Sequence, residues 1–175
     1  MRLFIALMAA LLSAPAQAEV VSSEASGFVL RHSAELPVAP AAAFASFLKI
    51  GSWWSPGHTY SGDSANLSLS AAPGGCFCER LKTGGGVEHM RVSFIDPSKR
   101  LVLTGGLGPL LYEATAGVMD VQVVPVGTGS RVTMEYKVAG FASGGADKLA
   151  APVDSVLAEQ FKRFIAFASA SPARP

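Results

Sequence analysis

The hydrophobic pattern is clearest in the last long segment of the chain, from about Asp147 to Ala170. Apolar residues recur there at steps of three and four, which places them along one stripe of a helix. The stripe contains Leu149, Val153, Val156, Leu157, Phe161, Phe164, Ile165 and Ala168. Charged and polar side chains fall mostly on the opposite face. The pattern predicts a long amphipathic helix that buries one face.

Most of the preceding chain alternates between apolar and polar residues with a period of two, which is typical of strands. The last strand shows it best, since Val132, Met134, Tyr136 and Val138 alternate with Arg131, Thr133, Glu135 and Lys137. Such alternation predicts an antiparallel sheet with one face buried against the core and the other exposed to solvent. By the same parity the inward-facing residues of earlier strands are Met90, Val92, Phe94, Leu101, Leu103, Met119, Val121 and Val123. The sequence therefore predicts an α+β protein whose curved antiparallel sheet wraps around the C-terminal helix.

A first strand is predicted over residues 27–37, ending at Pro37, and two short helices are predicted after it. Pro40 suits a helix start, and Gly51 is expected to stop that helix. Trp53 and Trp54 follow in a short turn or helix that Pro56 ends.

The N-terminal segment has the pattern of an export signal. Arg2 supplies a positive start, residues 3–12 are apolar, and Ala16-Gln17-Ala18 matches a small-x-small cleavage site. A membrane anchor is the alternative, but a span needs about 20 apolar residues, twice this run. We expect a cleaved signal peptide (1–18), a loose polar leader (19–26), one domain (27–170) and a short tail (171–175). The mature protein would be periplasmic or secreted.

Composition narrows the classes of partner. The chain has 175 residues, half of them apolar, and a formal charge of +1. One domain of this length can bury a workable core. Because neither sign of charge dominates, nucleic acid and anionic membrane surfaces are poor candidates. We expect no stable membrane insertion and no cofactor, and the sequence leaves the oligomeric state open.

The order of elements and several motifs carry a resemblance to a known superfamily. The segments are AAAFASFLKIGSWWSP, PGGCFCERL, GVEHMRVSFIDPSKRLVLTGG and GTGSRVTMEYKVAG, followed by the amphipathic helix. Together they resemble the START-like or SRPBCC superfamily, whose helix-grip fold is shared by polyketide cyclase/dehydrase and lipid-transfer groups. The tryptophan pair, the Gly-Gly-x-Phe-x-Glu strand and the Asp-Pro turn are closest to the chaperone-ATPase-activator-like branch. The export signal argues against the cytosolic activity of that branch.

The resemblance implies a mostly apolar cavity between the sheet and the long helix, where a small hydrophobic ligand or lipid would bind. It places Trp53 and Trp54 at the cavity rim, and we expect one in the core and one in the lining. Glu79 shares its parity with Phe77, so it is either a functional carboxylate inside the cavity or a strand-end residue at its mouth. The same two interpretations apply to Glu113 and Tyr136. The predicted pocket residues are Trp53, Trp54, His58, Phe77, Glu79, Met90, Val92, Phe94, Glu113, Met119, Met134, Tyr136, Leu157, Phe161 and Phe164.

The remaining candidates are cysteines, histidines and one loop. Cys76 and Cys78 are interpreted first as small unpaired residues, then as an intermolecular or regulatory disulfide, and last as soft-metal ligands. An intramolecular bridge in a regular strand would require strained geometry. His32, His58 and His89 lack metal-ligand spacing, so each is interpreted as a surface or satisfied histidine, and His58 is the one of interest. The glycine-rich loop at 105–110 is predicted as a lid at the cavity mouth.

Three functions are compatible with these observations. The first is a carrier of a small apolar or amphipathic molecule, since such a protein needs only an apolar cavity. The second is a cyclase/dehydrase- or hydrolase-type enzyme with two acid–base groups that converge on one point. The third is a co-chaperone-like interaction protein, which would need a large apolar patch outside the cavity. We favour the first hypothesis because no catalytic set of residues is recognisable.

Overall fold

A computed structural model describes residues 17–170. It contains eight strands and two α-helices: β1 (Gln17–Glu24), β2 (Gly27–Leu36), α1 (Pro40–Leu48), β3 (Leu67–Leu69), β4 (Cys76–Arg80), β5 (Gly86–Asp96), β6 (Arg100–Thr104), β7 (Ala114–Val126), β8 (Gly129–Phe141) and α2 (Asp147–Ala170). Short 3-10 turns occupy Ile50–Ser52, Pro56–His58, Ser64–Asn66 and Gly108–Tyr112.

The strands form one antiparallel sheet in the order β1-β2-β8-β7-β6-β5-β4-β3. Its long central hairpin, β7 and β8, pairs continuously from Ala114 opposite Phe141 to Val126 opposite Gly129. The helix α2 packs against β2, β1 and α1. This arrangement confirms the predicted helix-grip fold. None of the helices within residues 17–170 has the length and apolarity needed to cross a bilayer.

The core lies between the covered face of the sheet and the apolar stripe of α2. Phe164 of α2 is fully buried, and its ring meets that of Phe47 in α1 edge-on, with the ring centres 5.3 Å apart. The predicted inward residues of β5 to β8 are buried as expected, with the exception of Phe94: Met90, Val92, Leu101, Leu103, Met119, Val121, Val123, Val132, Met134, Tyr136 and Val138. Regular alternation therefore identified nearly all of the core residues that β5 to β8 contribute.

Phe94 is a correction, because its ring is 48% exposed on the outer face of the sheet. The pairing of β5 with β6 shifts between Val92 and Phe94, so an extra residue interrupts the alternation. Ile95 rather than Phe94 returns to the covered side, opposite Leu101. The guanidinium of Arg100 lies over the Phe94 ring, 5.8 Å from its centre. A bulge changes which side chains of the rest of the strand face the core, and the composition of the strand does not reveal this change.

The segment 19–26, predicted as a loose leader, is also a correction. Most of it belongs to β1, which pairs with β2 from Glu19 opposite Arg31 to Glu24 opposite Gly27. Its side chains are exposed, so the strand has no apolar alternation from which it could be recognised. Backbone hydrogen bonds along the edge of β2 stabilise it instead. The predicted signal peptide, apart from residues 17 and 18, and the tail 171–175 lie outside the described residues.

The second predicted helix is a pair of 3-10 turns on either side of the tryptophan pair. The helix α1 ends at Leu48, and the Trp53 indole N–H donates to the carbonyl oxygens of Ser46 (3.1 Å) and Phe47 (3.2 Å). Helix ends leave such carbonyls without intrahelical partners. Gly51 does not stop the helix but permits close packing, since a Cβ there would lie 2.8 Å from the Ser64 carbonyl oxygen.

Truncation of two phenylalanines tests these assignments. We expect Phe164→Ala to lower the free energy of unfolding by about 3–5 kcal/mol, because it leaves a cavity in a closed aromatic cluster. Phe94→Ala, the matched control on the outer face, should cost less than about 1 kcal/mol. Urea denaturation of both variants measures the difference. Equal losses would mean that β5 continues without the bulge.

Candidate functional site

A cavity of about 430 Å³ lies between the sheet and the N-terminal half of α2. Its other walls are the segment that follows the first tryptophan and the loop before β7. The lining is mostly apolar and consists of Trp54, Gly57, His58, Thr59, Tyr60, Phe77, His89, Leu107, Gly108, Pro109, Leu110, Glu113, Leu149, Pro152, Val153, Val156 and Leu157. The glycine-rich loop at 105–110, predicted as a lid, contributes four of these residues.

The predicted pocket residues divide into two groups. Five of them line the cavity: Trp54, His58, Phe77, Glu113 and Leu157. Nine others are buried outside the lining: Trp53, Glu79, Met90, Val92, Met119, Met134, Tyr136, Phe161 and Phe164. Of the tryptophan pair, one is in the core and one lines the cavity, as expected.

Large rings explain why only one half of α2 borders the cavity. In the C-terminal half, Phe161 and Phe164 lie 5.9 Å apart between ring centres, and Phe164 also contacts Phe47 and Trp53. Together these rings fill the space beneath the helix. In the N-terminal half, the same apolar stripe of the helix carries the smaller side chains of Val153 and Val156. The cavity is the space that these valines leave open.

Glu79 is the buried acid of the site. It follows Phe77 at a spacing of two in β4, so both side chains point inward, and Glu79 is only 1% exposed. The Ser61 N–H donates to its Oε1, and the Tyr60 N–H donates to Oε2 over 3.1 Å. Oε2 also lies 3.0 Å from Nε2 of His89. Burial opposes ionisation, but these hydrogen bonds outweigh it and hold the pKa of Glu79 below its usual value.

His89 reaches Glu79 because β5 is irregular at this point. Opposite β4, Met90 pairs with Phe77 and Glu88 pairs with Cys78, so His89 is the extra residue of a bulge. Both His89 and Met90 are consequently buried, which strict alternation forbids. From the sequence, His89 is interpreted as a surface or satisfied histidine, without a connection to Glu79. In the sequence, only the adjacent His89 and Met90, next to a strand whose inward-facing residues are known, could have suggested a bulge.

The imidazole of His89 is neutral and has one free nitrogen. Burial lowers its pKa, and the carboxylate of Glu79 only partly opposes this. A neutral ring beside an ionised carboxylate carries its proton on Nε2, which then donates to Glu79. The other nitrogen, Nδ1, is buried and has no hydrogen-bond partner within the described part of the chain. His89 thus belongs to the lining of an apolar cavity and has an unused acceptor.

The other polar groups of the lining have partners. His58 lies 3.1 Å from the carboxylate of Glu159 on α2, and its carbonyl oxygen accepts the indole N–H of Trp54. Glu113 accepts a hydrogen bond from the Ser143 N–H over 3.2 Å. These contacts join separate segments around the cavity, so each has a structural role.

Tyr136, a predicted pocket residue, lies beneath the loop that forms one wall. Its hydroxyl accepts a hydrogen bond from the Leu107 N–H over 3.3 Å. Burial raises the pKa of Tyr136 to about 12, so the hydroxyl stays protonated. Gly117 of β7 leaves room for it, since a Cβ there would lie 2.5 Å from the phenol oxygen. Tyr136 therefore supports the loop and does not face the ligand space.

Cys76 and Cys78 are joined by a disulfide, which corrects their interpretation as unpaired small residues. Their Cα atoms are 5.3 Å apart, within the usual range for a bridge. The bridge lies where the pairing of β4 with β5 is irregular, since the bulge at His89 shifts the register between Phe77 and Cys78. Among residues 17–170, no three histidine, cysteine, aspartate or glutamate side chains form a group that could hold a metal ion.

Neutralising the buried acid tests this geometry. Glu79→Gln should lower the free energy of unfolding by about 2–4 kcal/mol, because an amide cannot accept from all three donors that surround the carboxylate. Glu159→Gln is the matched control: it changes the exposed acid of the other glutamate–histidine pair, and should leave the free energy of unfolding nearly unchanged. Chemical denaturation at neutral pH measures both. Similar costs would contradict the burial of Glu79.

Comparison with known proteins shows the fold alone. No family model and no curated protein matches the chain. A protein of Mesorhizobium loti aligns over 82% of this chain and 98% of its own, with 15% identity and a TM-score of 0.59. An uncharacterised protein of Rhizobium leguminosarum aligns over 90% of this chain and 100% of its own, with 15% identity and a TM-score of 0.60. The protein Ara h 8.0201 aligns over 83% of this chain and 99% of its own, with 14% identity and a TM-score of 0.58. These likenesses show that the chain shares its fold with these proteins.

Proposed function

We propose that this protein is an exported carrier that binds a small hydrophobic or amphipathic molecule in the cavity beside α2. The observation that carries the proposal is the cavity itself, about 430 Å³ of space with a mostly apolar lining. Pockets of this size bury most of the surface of a small ligand. Burying about 300 Å² of apolar ligand surface at about 25 cal/mol per Å² is worth several kcal/mol before the costs of association.

The fold supports a binding role. The fold neighbour Ara h 8.0201 is Bet v 1-like, and proteins with a Bet v 1-like fold generally bind small hydrophobic ligands. This likeness is one of architecture, so it supports the class of ligand but not its identity. Within the superfamily we place the chain nearest to the chaperone-ATPase-activator-like branch, on its tryptophan pair, its Gly-Gly-x-Phe-x-Glu strand and its Asp-Pro turn. That placement describes descent and not activity.

Acid–base catalysis is the second candidate function, because Glu79 holds the imidazole of His89 as general bases are often held. The carboxylate itself is enclosed by three donors, so the imidazole is the group that could act. A reaction would need a second group at the same point of the cavity. Glu113, the other acid of the lining, is bonded to the Ser143 N–H. We therefore rank binding first.

Export is the other part of the proposal. It is supported by the N-terminal pattern of charge, apolar run and small residues. The disulfide between Cys76 and Cys78 also supports it, since disulfides persist mainly in oxidising compartments. Cleavage after Ala18 would leave residues 19–24 to form β1.

The site of processing tests export. When the full chain is expressed in a bacterium that has a periplasm, we expect the protein in the periplasmic fraction with Glu19 as its first residue, because the cleavage site follows Ala18. Leu7→Arg, which places a charge in the apolar run, should keep the chain in the cytosol. Mass spectrometry of each fraction identifies the terminus. An intact N-terminus on cytosolic wild-type protein would contradict export.

A variant that fills the cavity tests binding. The probe is α-naphthyl methyl ether, a small apolar molecule. Val153 is part of the lining on α2. We expect Val153→Trp to weaken the binding of the ether at least about tenfold, because the added ring occupies the ligand space. Val124→Trp is the control, since Val124 is exposed on the sheet away from the cavity. Isothermal titration calorimetry measures both. Equal affinity in the two variants would mean that the ether binds elsewhere.

A further inference from the structure

We propose that the ligand of this cavity carries one uncharged hydroxyl group, a phenol or an alcohol, and that Nδ1 of His89 accepts its hydrogen bond. The inference rests on the proposed carrier function and specifies its ligand class. It starts from a single atom, the buried Nδ1, which has no partner within residues 17–170.

Unpartnered polar atoms of this kind are uncommon in protein interiors. Buried polar groups nearly always have a hydrogen-bond partner, and each exception needs a physical explanation. His89 is 95% buried, and it is part of the cavity lining. Its Nε2 is held by Glu79, so the ring cannot turn to satisfy Nδ1 without breaking that pair. A ligand donor in the cavity would satisfy Nδ1 with the ring in place.

The protonation state of the ring determines which ligand group fits. Burial lowers the pKa of His89, and hydrogen bonds keep Glu79 ionised, so Nδ1 is a lone-pair acceptor at neutral pH. An acceptor requires a donor, which an ether or ester oxygen cannot supply. A hydroxyl group supplies one.

The charges around the cavity argue against ionic ligand groups. Among residues 17–170, no lysine or arginine belongs to the lining, whereas Glu113 does and Glu79 lies next to His89. A carboxylate would therefore enter an apolar space near existing negative charge without a cation to pair with. The other lining histidine, His58, already faces Glu159. A fatty acid headgroup is thus a poor fit.

A cationic ligand fits no better. Beside His89 the carboxylate that could pair with it is Glu79, but three donors already surround that carboxylate: the backbone N–H groups of Tyr60 and Ser61 and the imidazole of His89. An ammonium group would lose its hydration without gaining a free carboxylate.

The neighbours of His89 favour a flat ligand near the acceptor. Its ring stacks with Tyr60 at 5.9 Å between centres and contacts Phe77 at 5.0 Å. Trp54, a further lining residue, packs edge-on against Phe77. Aromatic side chains around one acceptor suit a phenol, whose ring can pack against them while its hydroxyl donates.

The test compares three ligands of nearly equal shape by calorimetry with the mature protein. α-Naphthol offers a hydroxyl donor, its methyl ether offers none, and α-naphthoate carries a charge. We expect α-naphthol to bind at least about tenfold more tightly than the ether, the effect of one hydrogen bond formed in a buried site. The carboxylate should bind most weakly of the three.

Matched histidine variants locate the effect. His89→Phe should remove the preference for α-naphthol over the ether, whereas His58→Phe, the same change at the other lining histidine, should retain it. NMR of the wild-type protein gives a second measurement that does not depend on whether His89→Phe folds. The Nδ1 resonance of His89 should move when α-naphthol is added and stay when the ether is added.

Failure of the hydroxyl acceptor and failure of the carrier function give different results. Equal binding of α-naphthol and its ether, or an unmoved Nδ1 resonance, would overturn the hydroxyl acceptor and leave the carrier intact. Tightest binding of α-naphthoate would overturn it as well. Failure of all three ligands to bind would contradict the carrier, and with it the inference.

Discussion

The packing of α2 against the curved sheet is the interaction on which the rest of this structure depends. Aromatic side chains close the space beneath its C-terminal half, where Phe161 and Phe164 meet Phe47 and Trp53. Valines beneath the N-terminal half leave it open. Protein interiors are otherwise close-packed, so an opening of this size distinguishes this half of the helix. The aromatic contacts of the C-terminal half hold the helix against the rest of the core.

The second support of the cavity is polar. Glu79 joins β4, the bulge of β5 and the backbone of Tyr60 and Ser61 through three hydrogen bonds. A buried carboxylate costs desolvation energy, so it persists only where its donors are complete. Here they are complete for Glu79 but not for His89, whose Nδ1 is free. One end of the glutamate–histidine pair therefore stabilises the wall, and the other is available to a ligand.

Most of the fold was predictable from periodicity, and the site was only partly so. The three- and four-residue steps of α2 and the alternation in β8 placed Phe164 and Tyr136 in the core. The bulges of β5 defeated the same argument, because an inserted residue turns His89 inward and Phe94 outward without changing the composition. The polar strand β1 was missed because its pairing uses only the backbone.

Native mass spectrometry of the mature protein, purified from the periplasm without added ligand, tests the carrier most directly. The account predicts a bound small molecule that is released on denaturation and is absent from Val153→Trp, in which the cavity is filled. The released molecule should carry a hydroxyl group and no carboxylate. A clean protein mass for wild type, or the same adduct on Val153→Trp, would contradict a ligand held in this cavity.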